Sequence, residues 1–151
     1  MNPKLKSALQ ESDSCLLLCS GNMIRSAFAE LYALHLGWSV PVRSAGTTYP
    51  NSRIHPEARA ALLALDVDSD LIKQFRPRLI SDLAPAPSDN ELVIGMTNAH
   101  LAEAFDQGAS GPAFLLTAAV GEDHEIADPY FEGGYDSVFA DIARCIESLI
   151  Q

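Results

Sequence analysis

The stretch that decides the fold reads Leu16-Leu17-Leu18-Cys19-Ser20-Gly21-Asn22-Met23-Ile24-Arg25-Ser26-Ala27-Phe28-Ala29-Glu30. The three leucines are a short continuous apolar run, the mark of a strand buried on both faces. Gly21-Asn22 is a turn signal, because both residue types tolerate positive φ. After Ser26 the apolar residues Phe28, Leu31, Tyr32 and Leu36 recur at helical spacing. The stretch is therefore strand, tight loop, helix. Cys19 closes the strand and Arg25 opens the helix, with five residues between them. In such a loop several backbone amides and the positive end of the helix dipole converge on one point. That field favours an anionic sulfur and equally a bound phosphate. Arg25 adds a planar fork matched to two phosphate oxygens. A nucleophile and an oxyanion cradle coincide, as phosphoryl transfer through a cysteine requires. No Gly-Lys-Ser/Thr follows the glycine, so this is not a Walker loop.

Working outward, Met1–Ser14 is polar with Leu5 and Leu9 at helical spacing, and reads as a short helix or, favoured at a terminus, a frayed tail. Leu16–Cys19 is the first strand. The first helix runs from Ser26 to about Leu36 and stops at Gly37. Val40–Ser44 reads as the second strand, leading into Ser44-Ala45-Gly46-Thr47, and 47–53 is loop. Pro56 starts a second helix, with Ala58, Ala61, Leu62 and Leu65 expected on its inner face. The acidic run 66–70 ends it. Arg76-Pro77-Arg78 opens a short apolar segment, and 84–90 is a loop too short to separate domains.

Leu92–Met96 reads as a third strand, followed by a helix expected to turn Leu101, Ala104 and Phe105 inward. Ala113–Leu116 is a fourth strand, and 117–134 is expected to be mostly loop. Tyr135, Val138, Phe139, Ile142, Ile146 and Leu149 keep a helical period to the C-terminus. Strands alternating with helices imply a parallel sheet covered on both faces, with ligands at the carboxyl ends of its strands. Cys19, Gly46 and Thr97 fall on that edge.

The chain has 151 residues, 48% of them hydrophobic, enough for one domain with a sizeable core. No apolar run is long enough to span a bilayer, and the first residues lack a signal-peptide core. Cys15, Cys19 and Cys145 have neither CxxC spacing nor an even count. They argue against a disulfide framework or zinc site and for a reducing, cytoplasmic setting. The formal net charge of −10 disfavours nucleic acid as a partner. Nine of the ten basic residues, but only seven of the twenty acids, precede residue 80, so an anion site belongs in the first half. His35, His55, His100 and His124 are scattered and read as helix-surface or cap residues, with no metal-ligand pair among them. His55, before Pro56, is a helix-start position.

The succession Cys-x-Gly-Asn-x-x-Arg-Ser, Ser-Ala-Gly-Thr and Asp-Pro-Tyr (residues 19–26, 44–47 and 128–130) resembles the low-molecular-weight protein tyrosine phosphatase family over nearly the whole chain. The resemblance implies one flavodoxin-like domain at 15–151 after an N-terminal extension at 1–14. It implies a four-stranded parallel sheet in the order 2-1-3-4 with helices on both faces. It also implies a phosphatase that hydrolyses phosphotyrosine or aryl phosphates through a cysteinyl-phosphate, releasing inorganic phosphate, with no metal, cofactor or membrane partner. By the same resemblance Cys19 is the nucleophile and Arg25 the phosphate ligand. Asp128 is the acid that protonates the leaving phenol, then the base that activates water. Ser20, Gly21, Asn22, Met23 and Ile24 line the phosphate loop, and Ser26 donates to the sulfur. Ser44 supports Asn22. Tyr49, Tyr130 and Phe131 wall the substrate ring, since aromatic faces stack on a phenyl group. Gly133 and Gly134 give the Asp128 loop freedom to close.

The chain departs from the family's pattern at several positions. Ile24 replaces a second cysteine common in the family, which removes local redox protection. Cys15 cannot substitute, because four residues of strand span about 13 Å. Phe75 stands where the family often has a histidine buttressing the loop asparagine, so the Asn22 network is looser or built from other groups. Met23 and Ala27 stand where many bacterial members have Thr and Pro, which shifts loop rigidity but removes no catalytic atom. Two other functions fit the same scaffold. A thiol-coupled arsenate reductase would need Cys19 and an external thiol, since 80–90 lacks the cysteines of an internal cascade. A phosphotyrosine-binding module would bind aryl phosphate without hydrolysing it.

Overall fold

The computed structural model describes all residues, Met1–Gln151. Four parallel strands, β1 (Ser14–Cys19), β2 (Val42–Gly46), β3 (Glu91–Gly95) and β4 (Ala113–Leu115), form one sheet in the order β2-β1-β3-β4. Seven helices accompany it: α1 (Pro3–Glu11), α2 (Arg25–His35), α3 (Pro56–Ala64), α4 (Ser69–Gln74), α5 (Asn98–Asp106), α6 (Pro129–Glu132) and α7 (Tyr135–Ile150). The family's sheet order and the flanking helices are as expected.

The twofold alternation of β1 divides the core. Cys15, Leu17 and Cys19 face the larger cluster, where Phe28, Leu31, Leu62, Ile72, Phe139, Ile142 and Ile146 bring together α2, α3, α4 and α7. Leu16 and Leu18 face a smaller one with Ala45, Ile80, Val93, Ala104 and Ala109, covered by α5 and a 3-10 turn at Ile80–Asp82. Every residue of β1 except Ser14 is buried, as expected of a central strand covered on both faces. Its neighbour β2 is tied to β3 across the sheet's amino end. There Arg43 donates from Nε and Nη2 to the buried Glu91 carboxylate at 2.7 and 2.9 Å.

Several sequence expectations are corrected. The N-terminus is a docked helix rather than a frayed tail: Asn2 caps α1 by accepting from the Lys4 and Leu5 amides, Pro3 fits its first turn, and Leu5 is fully buried. The acidic run 66–70 ends α3 but also starts α4, because Asp68 caps it through the Asp70 amide. The region 117–134 contains a 3-10 turn, Leu116–Val120, and the short α6. Leu65 and Phe105 are exposed rather than inward. Leu65 lies beyond the end of α3. Ala104 lies flat on the small core beneath α5 and leaves the Phe105 ring at the rim.

Candidate active site

Register places Cys19 beside Gly46 at the carboxyl edge of the sheet, and the loop 20–24 leads directly into α2. Gly46 has no room for a side chain: a Cβ there would lie 2.9 Å from the Ser20 carbonyl oxygen and 3.2 Å from the Asn22 nitrogen. Asn22 holds the left-handed turn of the loop at φ 54° and is wholly buried. Its side-chain orientation is fixed by chemistry. The Arg78 amide can only donate, and it meets Asn22 Oδ1 at 3.0 Å. Nδ2 therefore points the other way, donating to Ser26 Oγ and Ser44 Oγ at 2.8 Å each. The Ser44 hydroxyl in turn donates to Glu30 Oε1 at 2.8 Å. Ser26 Oγ, already accepting from Asn22, has its proton free for Cys19 Sγ, 2.9 Å away. A chain of oriented dipoles thus ends on the sulfur.

Arg25 is 2% exposed, and its guanidinium is turned into the site. Nη1 donates to the Ile126 carbonyl at 2.8 Å, and Nη2 lies 3.4 Å from Asp128 Oδ2 and 3.5 Å from Ser20 Oγ. Asp128 is the N-cap of α6, accepting from the Tyr130 amide at 3.0 Å, and Pro129 occupies the first helical position. Gly133 and Gly134, both at positive φ, release the chain from α6 into α7. The carboxylate is thereby carried over the Cys19–Arg25 loop from the far end of the sequence. Cys19, Arg25 and Asp128 line one cleft of about 220 Å³ with Ser20, Gly21, Met23, Ile24, Tyr49, Asn51, Tyr130 and Phe131. Tyr49, Tyr130 and Phe131 are exposed at its mouth, with the Tyr130 and Phe131 rings edge to face at 5.1 Å. Asn22, Ser26 and Ser44 lie behind the loop instead of lining the cleft.

Several residues essential to this geometry carry no local signal. Glu30 is buried in α2 among apolar neighbours; burial raises its pKa, against the opposing hydrogen bonds and charge of Ser44 and Arg78. Arg78 holds Asn22 by its amide, the Ser44 carbonyl by Nε at 2.9 Å and Glu30 by Nη2 at 3.3 Å. These groups supply the Asn22 network, while Phe75 packs in the core. Asn51 donates to the Gly21 carbonyl at 2.9 Å. His100, a cap residue as expected of α5, is not on the surface: it is 3% exposed and meets Ser20 Oγ through Nε2 at 3.0 Å. Away from the cleft, His124 lies between Glu122 and Asp141, a grouping that spacing along the chain conceals. Arg144 already pairs with both carboxylates at 2.6 Å, so that cluster is a surface ion-pair network. No helix is long and apolar enough to cross a membrane.

The sheet order, the Cys-x5-Arg loop at its carboxyl edge and the carboxylate above it define a small α/β phosphatase. The family model described as low molecular weight phosphotyrosine protein phosphatase matches residues 14–151, and the chain belongs to that family. A search of the curated proteins finds no match. Among solved structures, the low molecular weight protein tyrosine phosphatase from T. tengcongensis is 25% identical, with 92% of this chain and 98% of that one covered at a TM-score of 0.72. YfkJ from Bacillus subtilis is 20% identical, covering 91% and 92% at 0.75. The YwlE arginine phosphatase from Geobacillus stearothermophilus is 24% identical, covering 91% and 90% at 0.69; the last two likenesses are of fold. As a phosphatase of this family the protein takes a phosphorylated substrate and releases phosphate.

Proposed function

We propose that the protein is a protein tyrosine phosphatase working through Cys19, Arg25 and Asp128. The observation that carries this reading is the convergence of those three side chains on one cleft whose mouth is aromatic. A phosphate entering the loop takes over the Arg25 fork and releases Asp128 from its contact with Nη2. The Cys19 sulfur attacks phosphorus; the S–P bond forms, the aryl P–O bond breaks, and Asp128 gives its proton to the departing phenolate oxygen. Asp128 then takes a proton from water as the water oxygen attacks phosphorus. The S–P bond breaks, phosphate leaves, and the Ser26 hydroxyl stabilises the sulfur anion that returns.

The substrate class follows from the walls. Met23, Ile24, Tyr49, Tyr130 and Phe131 offer apolar and aromatic surface to a flat ring. A phosphorylated guanidine instead presents several N–H donors. Asp128 is the one carboxylate lining the cleft, and it faces Arg25. We place the catalytic unit at 15–151, with 1–14 an N-terminal extension docked on it through Leu5 and Ala8, in the cytoplasm, where free thiols persist.

The test is hydrolysis of a phosphotyrosine peptide and a phosphoarginine peptide side by side, for wild type and Cys19→Ser. Phosphotyrosine is the faster substrate, and Cys19→Ser binds phosphate without turnover. Preference for phosphoarginine overturns the substrate class, and substantial turnover by Cys19→Ser overturns the nucleophile. Binding without hydrolysis in wild type makes the protein a phosphotyrosine-binding module. Arsenate reduction with glutathione or mycothiol in place of hydrolysis makes it a reductase.

A further inference from the structure

His100 begins from an ordinary helix cap and ends on the phosphate loop. Thr97 caps α5 by accepting from the His100 amide at 3.3 Å, and the Thr97 amide donates to His100 Nδ1 at 3.1 Å. A backbone amide can only donate, so Nδ1 is the unprotonated nitrogen and Nε2 carries the ring proton. Nε2–H therefore donates to Ser20 Oγ, 3.0 Å away. The same oxygen faces Arg25 Nη2 at 3.5 Å, a second donor. With both neighbours donating, the Ser20 hydroxyl keeps its own proton to give. Ser20 lines the cleft, so the remaining direction is toward the bound anion.

We propose that His100 is a positioning residue of the phosphate site: fixed in one tautomer by the Thr97 amide, it orients the Ser20 hydroxyl to donate into the cleft. The site thereby gains a side-chain donor beyond the Arg25 fork and the loop amides. Burial and the neighbouring Arg25 charge push the His100 pKa down to about 4, against the pull of Glu103, Asp128 and Glu125. The ring is therefore neutral, as the single tautomer requires, across the near-neutral range in which phosphate passes from mono- to dianion. The inference rests on the phosphatase reading of the cleft and adds a group that reads phosphate through Ser20.

The experiment measures binding of inorganic phosphate by calorimetry, with p-nitrophenyl phosphate turnover and thermal unfolding beside it. The proteins are wild type, His100→Ala, His100→Gln, Ser20→Ala, Thr97→Ala and the double variant His100→Ala/Ser20→Ala. A hydrogen bond to a charged group corresponds to about a ten- to hundredfold change in affinity. His100→Ala and Ser20→Ala each weaken phosphate by about that factor, and the double variant is no weaker than either single one. His100→Gln, whose amide nitrogen reaches the place of Nε2, recovers most of the affinity. Thr97→Ala lowers thermal stability without an equal loss of affinity. Should His100→Ala fail to fold, Ser20→Ala and His100→Gln still decide the matter. The proposal is overturned if Ser20→Ala binds phosphate as wild type does. It is also overturned if His100→Ala and Ser20→Ala lose affinity additively, or if His100→Ala loses only stability. If wild type itself neither binds phosphate nor hydrolyses the ester, the phosphatase reading fails instead.

Discussion

Replacing Asn22 by alanine tests the support of the phosphate loop, and the structure sets its magnitude. The Arg78 amide would lose its acceptor, at a cost of about 1–3 kcal/mol for a donor left unpaired. Ser26 and Ser44 would each lose one incoming bond but keep their own donation, a milder loss of about 0.5–1.5 kcal/mol apiece. Alanine at φ 54° adds about 1 kcal/mol, because asparagine tolerates the left-handed turn and alanine does not. Together the change destabilises the fold by about 5 kcal/mol, a large part of the stability of a domain this size. Asn22→Gly removes the same three hydrogen bonds but fits the turn, so it recovers about 1 kcal/mol of that loss. Urea unfolding of the three proteins, followed by tryptophan fluorescence and circular dichroism, supplies the comparison. The reasoning is refuted if Asn22→Ala loses less than about 1 kcal/mol, or if Asn22→Gly is no more stable than Asn22→Ala.

Asp128→Asn lowers kcat/KM, which reports the step in which the phenol leaves, by about 10²–10⁴-fold for aryl phosphates with poor leaving groups and far less for p-nitrophenyl phosphate; a series of substituted phenyl phosphates reads this as a steeper dependence on leaving-group acidity. Gly46→Ala drives a methyl group against the Ser20 carbonyl and the Asn22 amide, so phosphate affinity falls in calorimetry while the protein remains folded by circular dichroism. Acid destabilises the protein through His100. The buried ring refuses a proton that the unfolded chain accepts, so its contribution is complete above pH 6.5 and is lost as pH falls toward 4. Urea titrations across that window show about 3 kcal/mol of loss in wild type that His100→Gln does not share.

Where function rests on adjacent residues, the chain was readable in advance. Leu16–Leu18, Gly21-Asn22 and the helical period after Ser26 announce β1, its loop and α2, because strand burial, turn chemistry and helix periodicity are local effects. The long period of α7 was equally plain. The small elements were not. α4 and α6 have six and four residues, too short for periodicity, and their signals are single caps, Asp68 and Asp128, ahead of acidic or aromatic residues. Spacing alone puts Phe105 inward, yet spacing cannot tell how much core lies beneath a helix. The loop's supports stayed hidden for a different reason. Glu30 looks like a chance acid in an apolar helix, Arg78 like one of three charges near Pro77, and His100 like a cap. Only the crossovers of the sheet bring Arg78 and His100, 56 and 80 residues away, against Asn22 and Ser20. With Phe75 where the family often has a histidine, the resemblance implies an Asn22 network that is looser or built from other groups; the Arg78 amide, Ser26 and Ser44 are those groups.

The central claim is a covalent bond between Cys19 and the transferred phosphoryl group. Acid quenching during turnover of an aryl phosphate, by wild type and by Asp128→Asn, followed by peptide mass analysis, looks for that bond directly. The account predicts the added mass of one phosphoryl group on the peptide containing Cys19, formed and consumed at rates that match turnover. Turnover at full rate with Cys19 unmodified at every quench time, or with the phosphoryl group on another residue, would contradict it.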